Sequence, residues 1–258
     1  MKNKILYLIA LILVISCSKD ESTNNNDSQG GANNTYPYKQ SVGYSANDIL
    51  SGNNFQEIEI DLMYINGFRP EQNSINNVIE FIEERTFKTT VTITPRLIED
   101  TNINSYTIDN IKNLEDSNRT LFTQDNKITI SALFVNGSSS SNNGNNVVLG
   151  TAYRNTSFVI YQETIQGLSN SPLETNRVTL ETSVILHELC HLLGLVNVGT
   201  NMVENHQDAA HGAHCNVNSC LMYYALENGN TISNTISGNQ VPQLDSFCLQ
   251  DLQANGGR

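Results

Sequence analysis

Basic residues are scarce in this 258-residue chain: 14 Lys and Arg stand against 26 Asp and Glu, for a formal net charge of -12. Nucleic-acid binding needs clustered Lys and Arg to neutralise phosphates, so that class of partner is not expected. Long apolar runs are nearly absent as well. The one stretch that a membrane would notice covers residues 5–15, about half of the ~20 residues a spanning helix requires. No internal repeat is visible. What is present is a recurrence of shorter apolar segments along most of the chain, with hydrophobic residues at 38%. That content is low, but it is not the profile of a disordered chain, and it suffices for one core.

The N-terminal run has a direction. Lys2 and Lys4 precede it, and it closes on Val14-Ile15-Ser16-Cys17. This is the layout of a secretory signal, and its end resembles a bacterial lipobox, in which the Cys is lipidated and becomes the first residue of the mature chain. The following Ser18-Lys19-Asp20-Glu21 resembles the surface-export signal of Bacteroidota lipoproteins. Residues 22–35 are rich in Asn, Ser and Gly, the composition of a flexible tether. The expected division is therefore a signal peptide over 1–16, the lipidated Cys17 with a linker over 17–40, and a folded domain over 41–258. Its expected place is the outer membrane, cell-surface exposed or facing the periplasm. The Cys17 lipid is the only membrane contact, and the domain is expected to be a monomer.

From Tyr36 onward the pattern is that of alternating elements. Residues 55–65 and 127–135 are rich in β-branched and apolar residues and read as strands. Residues 90–98 read as a strand whose Pro95 favours an edge or a strand end. Ile75, Val78, Ile79 and Ile82 recur at helical spacing behind Ser74, which predicts a helix over 74–87, and a shorter helix is expected over 107–114. A Gly/Ser/Asn loop over 136–146 leads into strands at 147–153 and 157–161. A strong helix after Thr179, a long Gly/His/Asn-rich segment and a helix over about 243–253 complete the chain. Such an order predicts an α+β fold: a mixed twisted sheet with helices packed on it, over an irregular lower part.

The chemistry lies in residues 182–194, Thr-Ser-Val-Ile-Leu-His-Glu-Leu-Cys-His-Leu-Leu-Gly. Four residues apart on a helix, His187 and His191 point the same way and can share one Zn2+. Glu188 stands one position round the axis, placed to take a proton from a metal-bound water without ligating the metal. Gly194 allows a sharp exit from the helix. Catalytic zinc has three protein ligands and a water, so one more ligand is required. The candidates are His206, His211, His214, Asp208 and Glu204.

The run His-Glu-x-x-His-x-x-Gly resembles the metzincin clan of zinc endopeptidases, in which a His or Asp follows three residues after the Gly. Here Asn197 holds that place, and Asn is a poor zinc ligand. Further on, His214-Cys215, four residues, and Cys220-Leu221-Met222 are similar to the arrangement in archaemetzincins. Between Gly194 and His214 lie 17 more residues than the clan pattern has, an interruption similar to that in leishmanolysin-like proteases. The resemblance implies a metzincin-like zincin fold with His187, His191 and His214 on one catalytic zinc. It implies Glu188 as base toward water and then acid toward the leaving amine, Met222 beneath the metal, and Tyr224 stabilising the oxyanion. The implied activity is a zinc peptidase acting on peptide bonds in proteins. It also likens residues 149–153 to the edge strand above the metzincin cleft, where an extended peptide adds by strand pairing.

Alternatives stay open at this level. His211 rivals His214, and a Glu third ligand, Glu204 or Glu227, describes another zinc class. Met222 and Tyr224 can be plain core residues; His206, Asp208 and His211 read first as polar members of a surface loop, and otherwise as lining a lid or binding a second ion. A non-catalytic surface-binding lipoprotein is the reading from outside enzymology. Beyond Cys17 four cysteines remain, and an even number in an exported chain predicts two disulfides, with Cys215–Cys220 and Cys190–Cys248 the favoured pairs. Archaemetzincins use cysteines for a structural zinc. Their later Cys-x-x-Cys would fall near Gln240 and Gln243 here, so the resemblance does not carry that zinc to this chain.

Overall fold

The computed structural model describes residues 36–144, 146–170, 175–232, 236 and 240–258. The expected signal peptide over 1–16, Cys17 and the expected tether over 22–35 lie outside them. Among the described residues no helix is long and apolar enough to cross a membrane. The fold begins slightly earlier than position 41. The Tyr36 hydroxyl donates to Ser45 Oγ at 2.7 Å and its ring meets Phe55 edge-on, while Asn155 holds the Pro37 carbonyl at 2.8 Å.

A short helix α1 (Ala46–Leu50) leads into strand β1 (Glu57–Ile65), helix α2 (Gln72–Arg85) and strand β2 (Thr90–Ile98). A two-residue strand β3 (Ser105–Tyr106) precedes helix α3 (Ile108–Asn118) and strand β4 (Lys127–Val135). Then come β5 (Ser138–Ser139), β6 (Gly150–Arg154), β7 (Ser157–Tyr161), helix α4 (Gln162–Gly167) and the long helix α5 (Arg177–Leu192). A 3-10 turn at Tyr224–Glu227 and helix α6 (Ser246–Ala254) follow. The main sheet has the order β2-β1-β4-β7-β6, parallel throughout except for β6, which runs antiparallel to β7 at the edge. This is the mixed sheet of an α+β fold.

Local chemistry explains the boundaries. Pro95 lacks an N–H, and β2 is accordingly an edge strand paired only with β1, with Leu62 opposite Pro95. β4 is central and buried along all but its first residue. Helix α3 opens with a reciprocal cap in which Thr107 and Asn110 exchange side-chain and backbone hydrogen bonds. Two residue sets absent from the expected elements, α1 and α4, have five and six residues, too short for a helical period to show.

Alternation along the strands sorts the core onto two faces. Ile58, Ile60 and Leu62 of β1 pack with Ile130, Phe158, Ile75, Val78, Leu180 and Val184 beneath α2 and α5. Met63 and Ile65 pack on the other side with Leu133, Val159, Ile111 and Leu114 of α3. On that second side a buried charge cluster ties α3 to the β6–β7 turn. Glu115 receives Arg119 at 2.7 Å and Arg154 at 2.6 Å, and both arginines lie against the Tyr38 ring.

Candidate metal centre

Helix α5 is buried from Thr179 to Leu192 on every side, its polar members Glu181, Thr182, Ser183, His187, Glu188 and His191 included. Asn176 caps it by accepting from the Thr179 N–H. Its last two turns present His187 and His191, whose ring centroids stand 4.9 Å apart. His214 closes the triangle, 5.2 Å from His187 and 5.4 Å from His191. The insertion brings it there. The Val196 N–H donates to the Ala213 carbonyl and the Asp208 N–H to the His214 carbonyl, so the 20 residues after Gly194 loop out and return beside the helix they left. Gly194 makes the exit with φ +86°, and a Cβ there would stand 2.1 Å from Thr200 Oγ1.

All three imidazoles are held in the same way. Nδ1 of His187 donates to the Leu221 carbonyl at 2.8 Å, that of His191 to Leu195 at 2.9 Å, and that of His214 to His211 at 2.7 Å. A carbonyl can only accept, so each proton sits on Nδ1 and each Nε2 offers its lone pair to the space between the rings. Those ligand atoms and a Glu227 carboxylate oxygen lie within 4.8 Å of one another. Nε2 of His187 and of His214 and Oε1 of Glu188 are buried without a hydrogen-bond partner. Orphaned acceptors of this kind cost about 1–3 kcal/mol each. A cation shared by the three Nε2 atoms removes that cost for the imidazoles, and a backbone carbonyl on every Nδ1 is the outer shell that zinc-binding histidines have. The residues fit a zinc ion.

Electrostatics agree. Burial, followed by the neighbouring His191, lowers His187 to about 3, and burial with His214 lowers His191 to about 4. Both are therefore neutral near pH 7, the form that ligates. Burial also lowers His214, but the neighbouring Glu227 carboxylate, 3.3 Å away, outweighs it and the net shift is upward. Glu227 itself is held down to about 2: burial raises it, and the three imidazoles more than offset that. Glu188 moves the other way. Burial and then the Glu227 charge raise its carboxyl well above the usual range, opposed by the Ala152 N–H, which donates to Oε2 at 2.7 Å. Strand β6 lies directly over Glu188. A Cβ on Gly150 would stand 2.7 Å from its Cγ.

The remaining expected residues fall elsewhere. Met222 is fully buried, between the Leu221 carbonyl that holds His187 and the 3-10 turn. The Tyr224 ring is stacked on His211 with centroids 3.5 Å apart. His211 is an exposed partner of Asp208, at 2.6 Å, and is not in the cluster, nor is the exposed Glu204. Glu227, weighed in the sequence as a replacement for His214, joins the cluster beside it. Local spacing gives no sign of this, because Glu227 arrives on a turn tied to the segment before β6 by the Leu149 N–H and the Glu227 carbonyl.

Two expectations are corrected. His206 is not a surface residue: it is 1% exposed, and its Nε2 donates to Asp251 at 2.8 Å. The proposed disulfides Cys215–Cys220 and Cys190–Cys248 are not formed, and all four described cysteines are buried free thiols. The reason is placement. Cys248 on α6 faces Cys220, sulfur to sulfur at 3.6 Å, against the ~2.05 Å of a disulfide, and Cys190 is left inside the helix core.

The fold and this constellation define an α+β protein with a buried group of three histidines and Glu227 whose ligand atoms are close enough together to hold a metal ion. No protein-family model matches the sequence, and no curated protein matches it. Among solved structures it is similar to the crystal structure of archaemetzincin from Methanopyrus kandleri. The TM-score is 0.50 at 15% identity, over 79% of this chain and 96% of that one. The similarity is one of fold.

Proposed function

We propose that this chain is a zinc-dependent peptidase that hydrolyses peptide bonds in proteins. The observation that carries the reading is the convergence of three Nε2 lone pairs, all in one tautomer, beside a buried carboxylate with an unpartnered oxygen. Likeness of fold to an archaemetzincin supports it. A zinc ion held by His187, His191 and His214 supplies Lewis acidity toward a water and a substrate carbonyl. Glu188 then acts through Oε1, since Oε2 is occupied by the Ala152 N–H. It accepts the proton that the attacking water loses and delivers it to the amine nitrogen as the C–N bond breaks. Its raised carboxyl matches the second half of that task, because it holds the proton until the amine takes it. The substrate lies extended along the open edge of β6, main chain to main chain, which sets it over Glu188. Tyr224 is assigned to the tetrahedral intermediate, once its ring leaves the His211 stack.

In the Glu188→Gln variant peptidase activity on a protein substrate should fall at least a hundredfold while zinc content is unchanged. Unchanged activity would overturn the reading. The presence of Glu227 favours one second reading: four protein groups are the pattern of a closed, structural site, so a surface-binding lipoprotein would keep its zinc and have no activity to lose. The proposed address is the outer membrane, on the lipid of Cys17, supported by residues 1–35 of the sequence. Labelled palmitate should enter the chain and be absent from Cys17→Ala; an unlabelled parent would contradict the anchor.

A further inference from the structure

The histidine triangle has a fourth neighbour that the peptidase reading leaves without a task. Glu227 straddles two of the rings: its Oε1 is 3.3 Å from His214 Nε2 and its Oε2 is 3.8 Å from His187 Nε2. The protons of both rings sit on Nδ1, donated to the carbonyls of His211 and Leu221. No hydrogen therefore joins the carboxylate to either Nε2, and both Nε2 atoms lack a hydrogen-bond partner. Lone pairs face lone pairs, and a cation between them is what makes that approach favourable. With metal–nitrogen and metal–oxygen bonds of about 2.0–2.2 Å, ligand atoms at the corners of a tetrahedron stand about 3.4 Å apart. The carboxylate thus stands in the corner that a hydrolytic zinc site leaves to water.

A strap fixes the backbone beneath it. Residues 227–229 run antiparallel to 147–149, with the Leu149 N–H on the Glu227 carbonyl at 3.0 Å and the Gly229 N–H on the Val147 carbonyl at 2.7 Å. The Val147 N–H also donates to Asn228 Oδ1 at 3.3 Å. Gly229 permits the close approach, since a Cβ there would stand 2.8 Å from Leu168 Cδ1 and 3.2 Å from side-chain atoms of Leu149 and Val147. The Glu227 side chain is less confined. It is 33% exposed, where those of His187 and His214 are 0% and 8%. Of the four groups it is the one that can leave, by rotation about its own side-chain bonds with the strap in place.

We propose that Glu227 is a displaceable fourth ligand that closes the metal centre at rest. The inference rests on the peptidase reading and adds its regulation. While the carboxylate holds the corner, Glu188 has no water from which to take a proton, and the site is latent. When it rotates out, the corner opens in front of Glu188 Oε1. The strap ends at Leu149, one residue before β6. A peptide adding along that edge therefore arrives beside the carboxylate, and its carbonyl oxygen is the group that exchanges with it.

The test is binding of acetohydroxamate, a small chelator that needs an open corner, to the zinc-loaded protein, with zinc retention against a competing chelator as a second readout. Glu227→Gln keeps the reach of the side chain and removes the charge. Glu227→Asp keeps the charge and withdraws it by one methylene on a backbone that the strap holds. If the carboxylate fills the corner about nine-tenths of the time, both variants should bind acetohydroxamate about tenfold more tightly than the parent, and both should lose zinc to the chelator more readily. A gain in Glu227→Gln alone means that the charge merely repels the anionic probe, and overturns the proposal. Equal binding in all three proteins overturns it and leaves the peptidase reading standing. No binding in any of them marks a closed structural site, and a parent that retains no zinc has no centre to close; either overturns both. The probe reports an open corner whether or not peptide bonds are cut, so a protein without activity still gives an answer.

Discussion

Glu188 works in a space one atom wide. Gly150 of β6 passes so close that a Cβ would reach within 2.8 Å of its Oε1 and 2.7 Å of its Cγ. Gly150→Ala therefore displaces the carboxylate without touching a metal ligand. A misplacement near 1 Å costs on the order of a hundredfold in rate, so kcat should fall roughly 10- to 100-fold with zinc content and thermal midpoint near those of the parent. A fall in zinc content of the same size would assign Gly150 to the metal site instead. Much of this site was legible residue by residue. His187 and His191 are four apart, so the helix alone brings them together, and Glu188 between them is the proton carrier proposed above. Ala152 and Glu227 were not legible as partners, because they arrive from elements 36 and 39 residues away with no periodicity linking them. His206 was misread for the same reason. Its burial depends on Asp251, 45 residues on, and a His in a Gly- and Asn-rich stretch otherwise reads as surface.

At the scale of elements the strands were the easiest to read. β2, β4 and β7 have the bounds that β-branched content predicts. β6 begins later than expected because Val148 bridges to Asn228 rather than to β7. α1, too short to show a period, is held from outside. Lys88 is 5% exposed, and its Nζ donates to the carbonyls of Asp48, Ser51 and Phe55 at 2.6, 2.6 and 2.5 Å. Those carbonyls lie at the end of α1 and in the loop to β1, so one side chain fastens the segment. Replacing it by Met keeps the stem and leaves three carbonyls without their donor. The loss expected is about 2–4 kcal/mol in urea unfolding of the parent against Lys88→Met. A change below about 0.5 kcal/mol, the range of ordinary surface substitutions, would show that water replaces the ammonium.

For the whole molecule, the sheet and α5 build a rigid upper frame, and the chain after Gly194 builds the rest of the site from a long excursion. The order of elements predicted the frame because each apolar run declares its own period. The excursion has no period. It is held by single contacts such as Thr200 to the Leu193 carbonyl, Asn255 to Thr200, and His206 to Asp251, none of which a local pattern announces. Its return to the helix is what the functional reading rests on, because it delivers His214 to a pair of histidines 23 and 27 residues earlier. The most direct measurement is zinc content of the purified protein against His214→Ala. The account predicts that the parent holds a zinc equivalent at the histidine triangle and that His214→Ala loses it. Full retention of the nitrogen-bound zinc in His214→Ala would contradict it and pass the third ligand to Glu227.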